Sequence, residues 1–254
     1  MEYGLIGEKL GHSYSKIIHE KLADYKYEIT PVPREKFTAF MKARDFKAIN
    51  VTIPYKCDVI PFLDEIDDHA RQIGAVNTIV NRGGKLTGYN TDFYGFLYMI
   101  THNNVEIAGK KVIVLGNGGA AKAVIAVLKY LKAGEIIIVK HRKDTGVITY
   151  EECKKYHSDS EIIVNTSPVG MYPNTDSSPI DVSLYPNCEA VLDIIYNPLK
   201  TKLLLQAESL GIKAVNGLEM LVAQAKKAAE YFLDKKMDDS VIDRIYKEIL
   251  EELK

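Results

Sequence analysis

Lys111-Val112-Ile113-Val114-Leu115-Gly116-Asn117-Gly118-Gly119-Ala120-Ala121 passes from an unbroken apolar run through a cluster of glycines into a helical stretch. A short run that is apolar at successive positions reads as a strand buried on both faces, as in a parallel sheet. The residues after it fit G-x-G-x-x-G/A at the turn from strand to helix. Gly116 permits the tight turn, Gly118 lets the main chain approach a pyrophosphate, and Ala121 is small enough for close helix–strand packing. The helix that follows, to about Lys132, would offer unpaired N–H groups and the positive end of its dipole to phosphates. The stretch predicts a Rossmann-type dinucleotide-binding domain in an α/β chain. A glycine-rich turn without a ligand is the alternative, and the complete strand-turn-helix context weighs against it.

Working outward, the next strand, Glu135–Lys140, ends in Lys140-His141-Arg142-Lys143. A site for NAD would usually place Asp or Glu there to bind the ribose 2′-hydroxyl. A basic end suits the 2′-phosphate of NADP, with the guanidinium fork of Arg142 leading and Lys143 or Lys140 assisting. A solvated basic turn is the bland reading, and Asp144 nearby keeps NAD in play. Strands Glu161–Asn165, Ala190–Ile194 and Lys213–Val215, with a helix over Thr201–Leu210, continue the alternating pattern of a parallel sheet with crossover helices. Two helices close the chain, Leu218 to Leu233 and Ser240 to Leu253. Ile242, Ile245 and Ile249 form the apolar stripe of the second.

Upstream, the alternation predicts strand Tyr3–Gly7, helix Ser15–Tyr25, strand Tyr27–Pro31, helix Glu35–Ala43, strand Ala48–Thr52 and a helix after Pro54. Thr78-Ile79-Val80 and Lys85-Leu86-Thr87 flank Asn81-Arg82-Gly83-Gly84 and predict a hairpin forming an antiparallel edge, followed by a helix over Phe93–His102. The polar stretch Thr101-His102-Asn103-Asn104 marks a boundary. It separates a mainly parallel α/β first domain, residues 1–102, from a dinucleotide-binding domain, 103–217, with the helices of 218–254 returning to complete the first.

The 254 residues carry 33 Lys+Arg against 34 Asp+Glu, so no global field steers the protein to nucleic acid or to an anionic membrane. Any anionic ligand must be met by a local cluster. The apolar runs are strand-sized and the N-terminus lacks a signal-peptide pattern, which predicts a cytoplasmic protein. Cys57, Cys153 and Cys188 show no C-x-x-C spacing and the six histidines no H-x-x-x-H, so reduced cysteines and no metal site are expected.

Polar clusters fall where the elements end: Ser13-Tyr14-Ser15, Asn50 through Lys56, Ala75-Val76-Asn77-Thr78 and Asn90-Thr91-Asp92. Ligands of open α/β sheets bind outside the carboxyl ends of the strands, so these groups could converge on one cleft. Hydroxyls, amides, an ammonium and a carboxylate suit a small polyhydroxylated acid, because each desolvated hydroxyl needs a partner. Each also has a plain structural reading. Ser15 or Asp92 could cap a helix, and Asn50 and Asn77 could satisfy turns. Lys56 fits that reading least, since a cation at a helix start opposes the dipole.

Taken in order, these motifs resemble the shikimate dehydrogenase family over nearly the whole chain. The resemblance rests on Gly4-Leu5-Ile6-Gly7 with His12-Ser13-Tyr14-Ser15, Asn50-Val51-Thr52-Ile53-Pro54-Tyr55-Lys56, Ile73-Gly74-Ala75-Val76-Asn77-Thr78 and Gly88 through Phe96. It continues through the glycine turn, Asn165-Thr166-Ser167-Pro168-Val169-Gly170-Met171, Asp193 through Pro198, and Asn216 through Leu221 with Gln224 beyond. The resemblance implies reversible NADP(H)-dependent reduction of 3-dehydroshikimate to shikimate, on the route to chorismate and the aromatic amino acids, by a monomer or homodimer. It further implies that Ser13, Ser15, Asn50, Thr52, Lys56, Asn77, Asp92, Tyr196 and Gln224 bind substrate, with Lys56 and Asp92 as the catalytic pair. Gly116, Asn117, Gly118, Gly119, Ala120, His141, Arg142, Lys143, Thr166, Ser167, Met171, Ile194 and Gly217 would meet the cofactor, and Gly217 and Met220 would lie near the cleft. The family's cofactor loop usually reads Asn-Arg-Thr where this chain has His141-Arg142-Lys143, and Asn117 stands where Ala is common. Other readings are an NAD-dependent quinate/shikimate dehydrogenase and a non-catalytic metabolite-sensing module of the same fold. Retention of Lys56 and Asp92 argues against the latter.

Overall fold

A computed structural model describes residues 1–11, 13–142 and 144–252. They form two compact units, Met1–Gly95 with Leu221–Glu252, and Phe96–Met220. The first unit begins β1 (Tyr3–Gly7), α1 (Ser15–Leu22), β2 (Tyr27–Pro31), α2 (Arg34–Ala43) and β3 (Ala48–Val51). β1 lies between β2 and β3, parallel to both, with Tyr3 opposite Tyr27 and Ala48. A two-residue β4 (Glu65–Ile66), α3 (Asp68–Ile73), the hairpin β5 (Thr78–Arg82) and β6 (Lys85–Tyr89), and α4 (Thr91–His102) follow. The sheet order is β2-β1-β3-β5-β6-β4. Ile6, Ile49, Val51, Ile79 and Leu86 bury one face against Phe37, Met41 and Tyr55.

The second unit holds β7 (Lys111–Leu115), α5 (Gly119–Tyr130), β8 (Glu135–Val139), α6 (Tyr150–Tyr156), β9 (Ile162–Asn165), β10 (Ala190–Asp193), α7 (Lys202–Ser209) and β11 (Lys213–Val215). Its sheet is wholly parallel in the order β11-β10-β9-β7-β8. Val112 to Leu115 are all buried, as a strand covered on both faces must be. The strand order reverses at β7, which opens a crevice at its carboxyl end. Leu115, Asn165 and Asp193 stand side by side in register, so the loops after β7, β9 and β10 leave the sheet at one level.

α8 (Leu218–Leu233) and α9 (Ser240–Glu252) end the chain. Ala228 and Phe232 of α8 cover the second face of the first sheet with Leu5, Tyr27, Ala48 and Val80. Ile242, Ile245 and Ile249 are the buried stripe of α9. The buried Lys226 of α8 pairs with Glu230 at 2.7 Å and Asp239 at 2.8 Å, fixing the turn between the two helices.

Several expectations are corrected. No α-helix follows Pro54; the chain makes turns over residues 53–59 and a 3-10 turn over Ile60–Phe62. Tyr55 is drawn into the core, its ring stacked on Phe37 at 4.1 Å and its hydroxyl donating to Val32 O at 2.6 Å. The hairpin is not the sheet edge, because β4 pairs parallel to β6 outside it. The first helix stops at Leu22 rather than Tyr25, which instead packs against Tyr3 and places its hydroxyl 2.6 Å from His19 Nδ1. The units divide within α4 and α8, at Gly95 and Met220 rather than after His102 and Gly217. Both helices are continuous there, so no linker marks the division.

Candidate active site

In the first unit the polar residues gather at the ends of β1, β3 and β5 and the start of α4. Asn50, the third residue of β3, lies opposite Leu5 of β1 and Thr78 of β5. Its Oδ1 accepts from Tyr27 Oη at 2.7 Å, and its Nδ2 donates to Thr78 Oγ1 at 3.0 Å and Asn77 O at 3.3 Å. Asn77 Oδ1 accepts from Thr91 N at 2.7 Å and from Thr78 Oγ1 at 3.0 Å. Thr91 Oγ1 donates in turn to Gln224 Oε1 at 3.3 Å. Asn50, Asn77 and Gln224 thus belong to one hydrogen-bonded chain whose links are Tyr27, Thr78 and Thr91. Buried polar groups so partnered hold single orientations.

Asn90, not Asp92, caps α4, with its Oδ1 accepting from Phe93 N at 3.3 Å and its Nδ2 donating to Ala75 O. That releases the Asp92 carboxylate, in the first turn of α4 where the dipole favours a negative charge, to meet Lys56. Lys56 Nζ donates to Asp92 Oδ2 at 2.6 Å, with the two side chains only 15% and 10% exposed. The main chain of Lys56 is fixed by Val76 N, which donates to its carbonyl at 2.7 Å. Lys56 therefore sits in a turn anchored to the strand side of the site, not at the start of a helix of its own. Thr52 abuts β1, its N donating to Ile6 O at 2.9 Å. Ser15 N donates to Ser13 Oγ at 3.3 Å ahead of α1, a helix with no side-chain cap and no acidic residue in its first turn. Among the described residues these two serines are linked to each other rather than to the asparagine chain.

In the second unit Gly116 has φ +106, and a Cβ there would lie 2.8 Å from Thr166 Oγ1. Thr166 Oγ1 donates to Leu115 O at 2.8 Å, fastening the loop after β9 to the glycine turn. A Cβ on Gly118 would meet nothing within 4 Å, and no side chain caps α5. Asn117 and Gly118 are exposed, and the first-turn N–H groups of α5 face this open ground. This is a cradle that fits a pyrophosphate. After β8, Lys140, His141 and Arg142 are exposed; Lys140 lies 4.0 Å from Asp144 and the His141 ring 4.9 Å from that of Tyr150. Arg142 forms no ion pair among the described residues, which leaves its fork for an anion. Lys143, expected beside it, lies outside the described residues, as does His12. Ile194 and Tyr196 follow β10, Ser167 and Met171 follow β9, and Gly217 follows β11. A Cβ on Gly217 would stand 2.1 Å from Ile194 O, so only glycine allows this approach.

Sequence reasoning missed the linking roles of Tyr27, Thr78 and Thr91. The two threonines stand inside the quoted motifs, but Tyr27 lies in a strand with nothing in its spacing to mark it. Among the described residues no group of three or more His, Cys, Asp or Glu is placed to hold a metal ion, and no helix is long and apolar enough to cross a membrane. Cys57 is exposed and Cys153 and Cys188 are buried, and none of the three is in a disulfide among the described residues.

Comparison with known proteins finds likeness over nearly the whole chain. The family model of the shikimate dehydrogenase substrate binding domain matches residues 5–79. The shikimate dehydrogenase (NADP(+)) of Clostridium beijerinckii is 42% identical, with 96% of each chain covered. The crystal structure of a chorismate mutase/shikimate 5-dehydrogenase fusion protein from Clostridium acetobutylicum superposes with a TM-score of 0.93 at 38% identity, covering 99% of this chain and 97% of that one. Shikimate 5-dehydrogenase of Thermus thermophilus, solved in complex with NADP(H) and shikimate, superposes at 0.85 with 27% identity, covering 98% and 99% of the two chains. With likeness of that extent and the Lys56–Asp92 pair in place, the chain belongs to the shikimate dehydrogenase family.

Proposed function

We propose that the protein catalyses the reversible, NADP-dependent interconversion of shikimate and 3-dehydroshikimate, with the first unit as substrate domain and the second as dinucleotide domain. The observation that carries this reading is the Lys56–Asp92 pair, a single ammonium and carboxylate 2.6 Å apart and largely withdrawn from solvent beside a chain of oriented amides and hydroxyls.

The cofactor, when bound, supplies the hydride that reduces the C3 carbonyl. Lys56 Nζ gives a proton to the C3 oxygen in that direction, recovers it in the other, and its charge stabilises the negative charge gathering on the oxygen. Asp92 fixes the ammonium and accepts from the neighbouring substrate hydroxyl. Asn50, Asn77 and Gln224 meet the remaining hydroxyls from orientations already set by the hydrogen-bonded chain they share, which lowers the entropy lost on binding, and Thr52 adds a further hydroxyl. Ser13, Ser15 and the first turn of α1 receive the substrate carboxylate. Tyr196, in the second unit, adds a hydroxyl.

On the cofactor side, the N–H groups of residues 116–120 hold the pyrophosphate, and Arg142, with His141 and Lys140, holds the 2′-phosphate. Thr166, Ser167, Met171, Ile194 and Gly217 border the nicotinamide end. The test is reduction of NADP+ on adding shikimate, followed by the absorbance of the reduced nicotinamide, with NAD+ and quinate as comparisons. Absence of turnover with shikimate and NADP+ would overturn the reading.

A further inference from the structure

Asp193, the last residue of β10, is fully buried, yet among the described residues no charged side chain meets it. Its partners are three neutral donors from three different segments. Oδ1 accepts from Ile195 N at 3.0 Å and from Asn165 Nδ2 at 3.1 Å, and Oδ2 accepts from Thr201 Oγ1 at 2.8 Å. Asn165 ends β9, and its own Oδ1 accepts from Ser167 N at 3.0 Å and Ser167 Oγ at 2.7 Å. Thr201 caps α7, its Oγ1 accepting from Leu204 N at 3.3 Å. The loops after β9 and β10 also touch directly, Tyr172 N donating to Asn197 O at 3.0 Å. Gly217 N, after β11, donates to Ile195 O at 3.0 Å.

A carboxylate buried without a cation is costly. What it supplies that an amide or hydroxyl cannot is acceptance from all three donors at once, since an amide would turn an N–H toward one of them. The loops it joins carry Ser167, Met171, Ile194 and Tyr196, and Gly217 is tied to the same knot.

We propose that Asp193 is a positioning residue for the reaction, its carboxylate holding the loop after β10, with Tyr196, to the loop after β9 and to the start of α7. Burial raises the Asp193 carboxyl to about 6, the hydrogen bonds from Ile195, Thr201 and Asn165 only partly opposing it. Below that pH the acid has one proton to donate and faces three donors; only the Thr201 hydroxyl can turn to accept it. As pH falls through about 6 the Thr201 link therefore reverses its direction, while Ile195 N and Asn165 Nδ2 keep their acceptor at Oδ1.

The kinetic arm of the test rests on the proposed function; the other arm does not. In Asp193→Ala, amide exchange at Ile195 and Ser167 should quicken about tenfold or more relative to amides of β7, consistent with loss of one buried hydrogen bond. In Asp193→Asn the same amides should stay close to wild type, because its Oδ1 keeps both donors and its N–H faces the Thr201 hydroxyl. With shikimate as substrate, KM of Asp193→Ala should rise about tenfold while kcat falls less. If Asp193→Ala does not fold, Thr201→Val should loosen Ile195 while Thr201→Ser restores it. Unchanged exchange at Ile195 in Asp193→Ala, or in Thr201→Val, would overturn the proposal. An inactive wild type with the expected exchange pattern would overturn the proposed function and leave the positioning role standing.

Discussion

Replacing Lys56 by Ala removes the ammonium that lies 2.6 Å from Asp92 and leaves a carboxylate only 10% exposed without its partner. At that separation an effective dielectric of about 20 gives an attraction of roughly 6 kcal/mol, most of which is offset by the desolvation of two largely buried charges. Asp92 keeps the favourable field of the α4 start, so the loss of stability should be about 1–3 kcal/mol rather than the ~3–5 of a fully interior pair. Turnover should fall much further. Loss of a positioned proton donor lowers kcat by about 10²–10⁴, equivalent to ~3–5 kcal/mol of barrier. Substrate KM should change less, because Asn50, Asn77 and Gln224 remain hydrogen-bonded to their own neighbours. Asp92→Asn should also lower kcat, and the double variant should be little worse than Lys56→Ala alone, since the two groups act as one unit. The assay is initial-rate reduction of NADP+ by shikimate, with thermal unfolding of each variant alongside. A Lys56→Ala enzyme within a few-fold of wild type, or strictly additive losses in the double variant, would refute the reasoning.

Arg142→Ala should weaken NADPH by roughly 10- to 150-fold, from loss of about 1.5–3 kcal/mol of charge-assisted contact, while NADH changes little. Equal losses for both cofactors in kcat/KM would make Arg142 a support of its loop only. Gly217→Ala would put a Cβ 2.1 Å from Ile194 O and 2.4 Å from its carbonyl carbon, both main-chain atoms that no rotamer change can clear. Overpacking of that kind costs about 1–3 kcal/mol, so Tm should drop and KM rise; an unchanged Tm would contradict the close approach. His19 is buried, its ring stacked on Tyr27 at 4.1 Å, and burial depresses it from 6.5 to about 3 against a small opposing contact with Asn50. The folded state therefore binds fewer protons than the unfolded chain between those values. Its stabilisation is present above pH 6.5 and is lost as pH falls toward 3, on the order of 5 kcal/mol in all. His19→Phe should be less stable than wild type at pH 8 and close the gap by pH 4.5; parallel Tm curves would rule this out.

The second unit was the more legible half. Its decisive stretch joins a strand apolar at every position to a turn whose glycines have individual steric reasons, so propensity, pattern and turn chemistry agree at β7 and α5. The first unit was harder around Lys56, where Pro54 imitates a helix start and only the burial of Tyr55 draws the chain into turns. α3 and α6 were not foreseen, because each is under eight residues and carries little periodicity; their caps, Asp67 and the Thr149–Glu152 box, were the available signal. Lys56 and Asp92 could be picked out from their motifs, but the seclusion of their ion pair could not. That depends on Asn90 taking over the helix cap, a choice between neighbouring residues that tertiary contact makes. The asparagine chain and the Asp193 knot join residues tens of positions apart, and no local pattern announces such a partnership.

The most direct test of the proposed activity is to incubate the purified protein with shikimate and NADP+ and follow the reduced nicotinamide, with Lys56→Ala in parallel and NAD+ and quinate as alternative reactants. The expected result is shikimate-dependent reduction of NADP+ that collapses in Lys56→Ala and is slower with NAD+ or with quinate. No reduction of either cofactor by shikimate, or an equal rate in wild type and Lys56→Ala, would contradict the account.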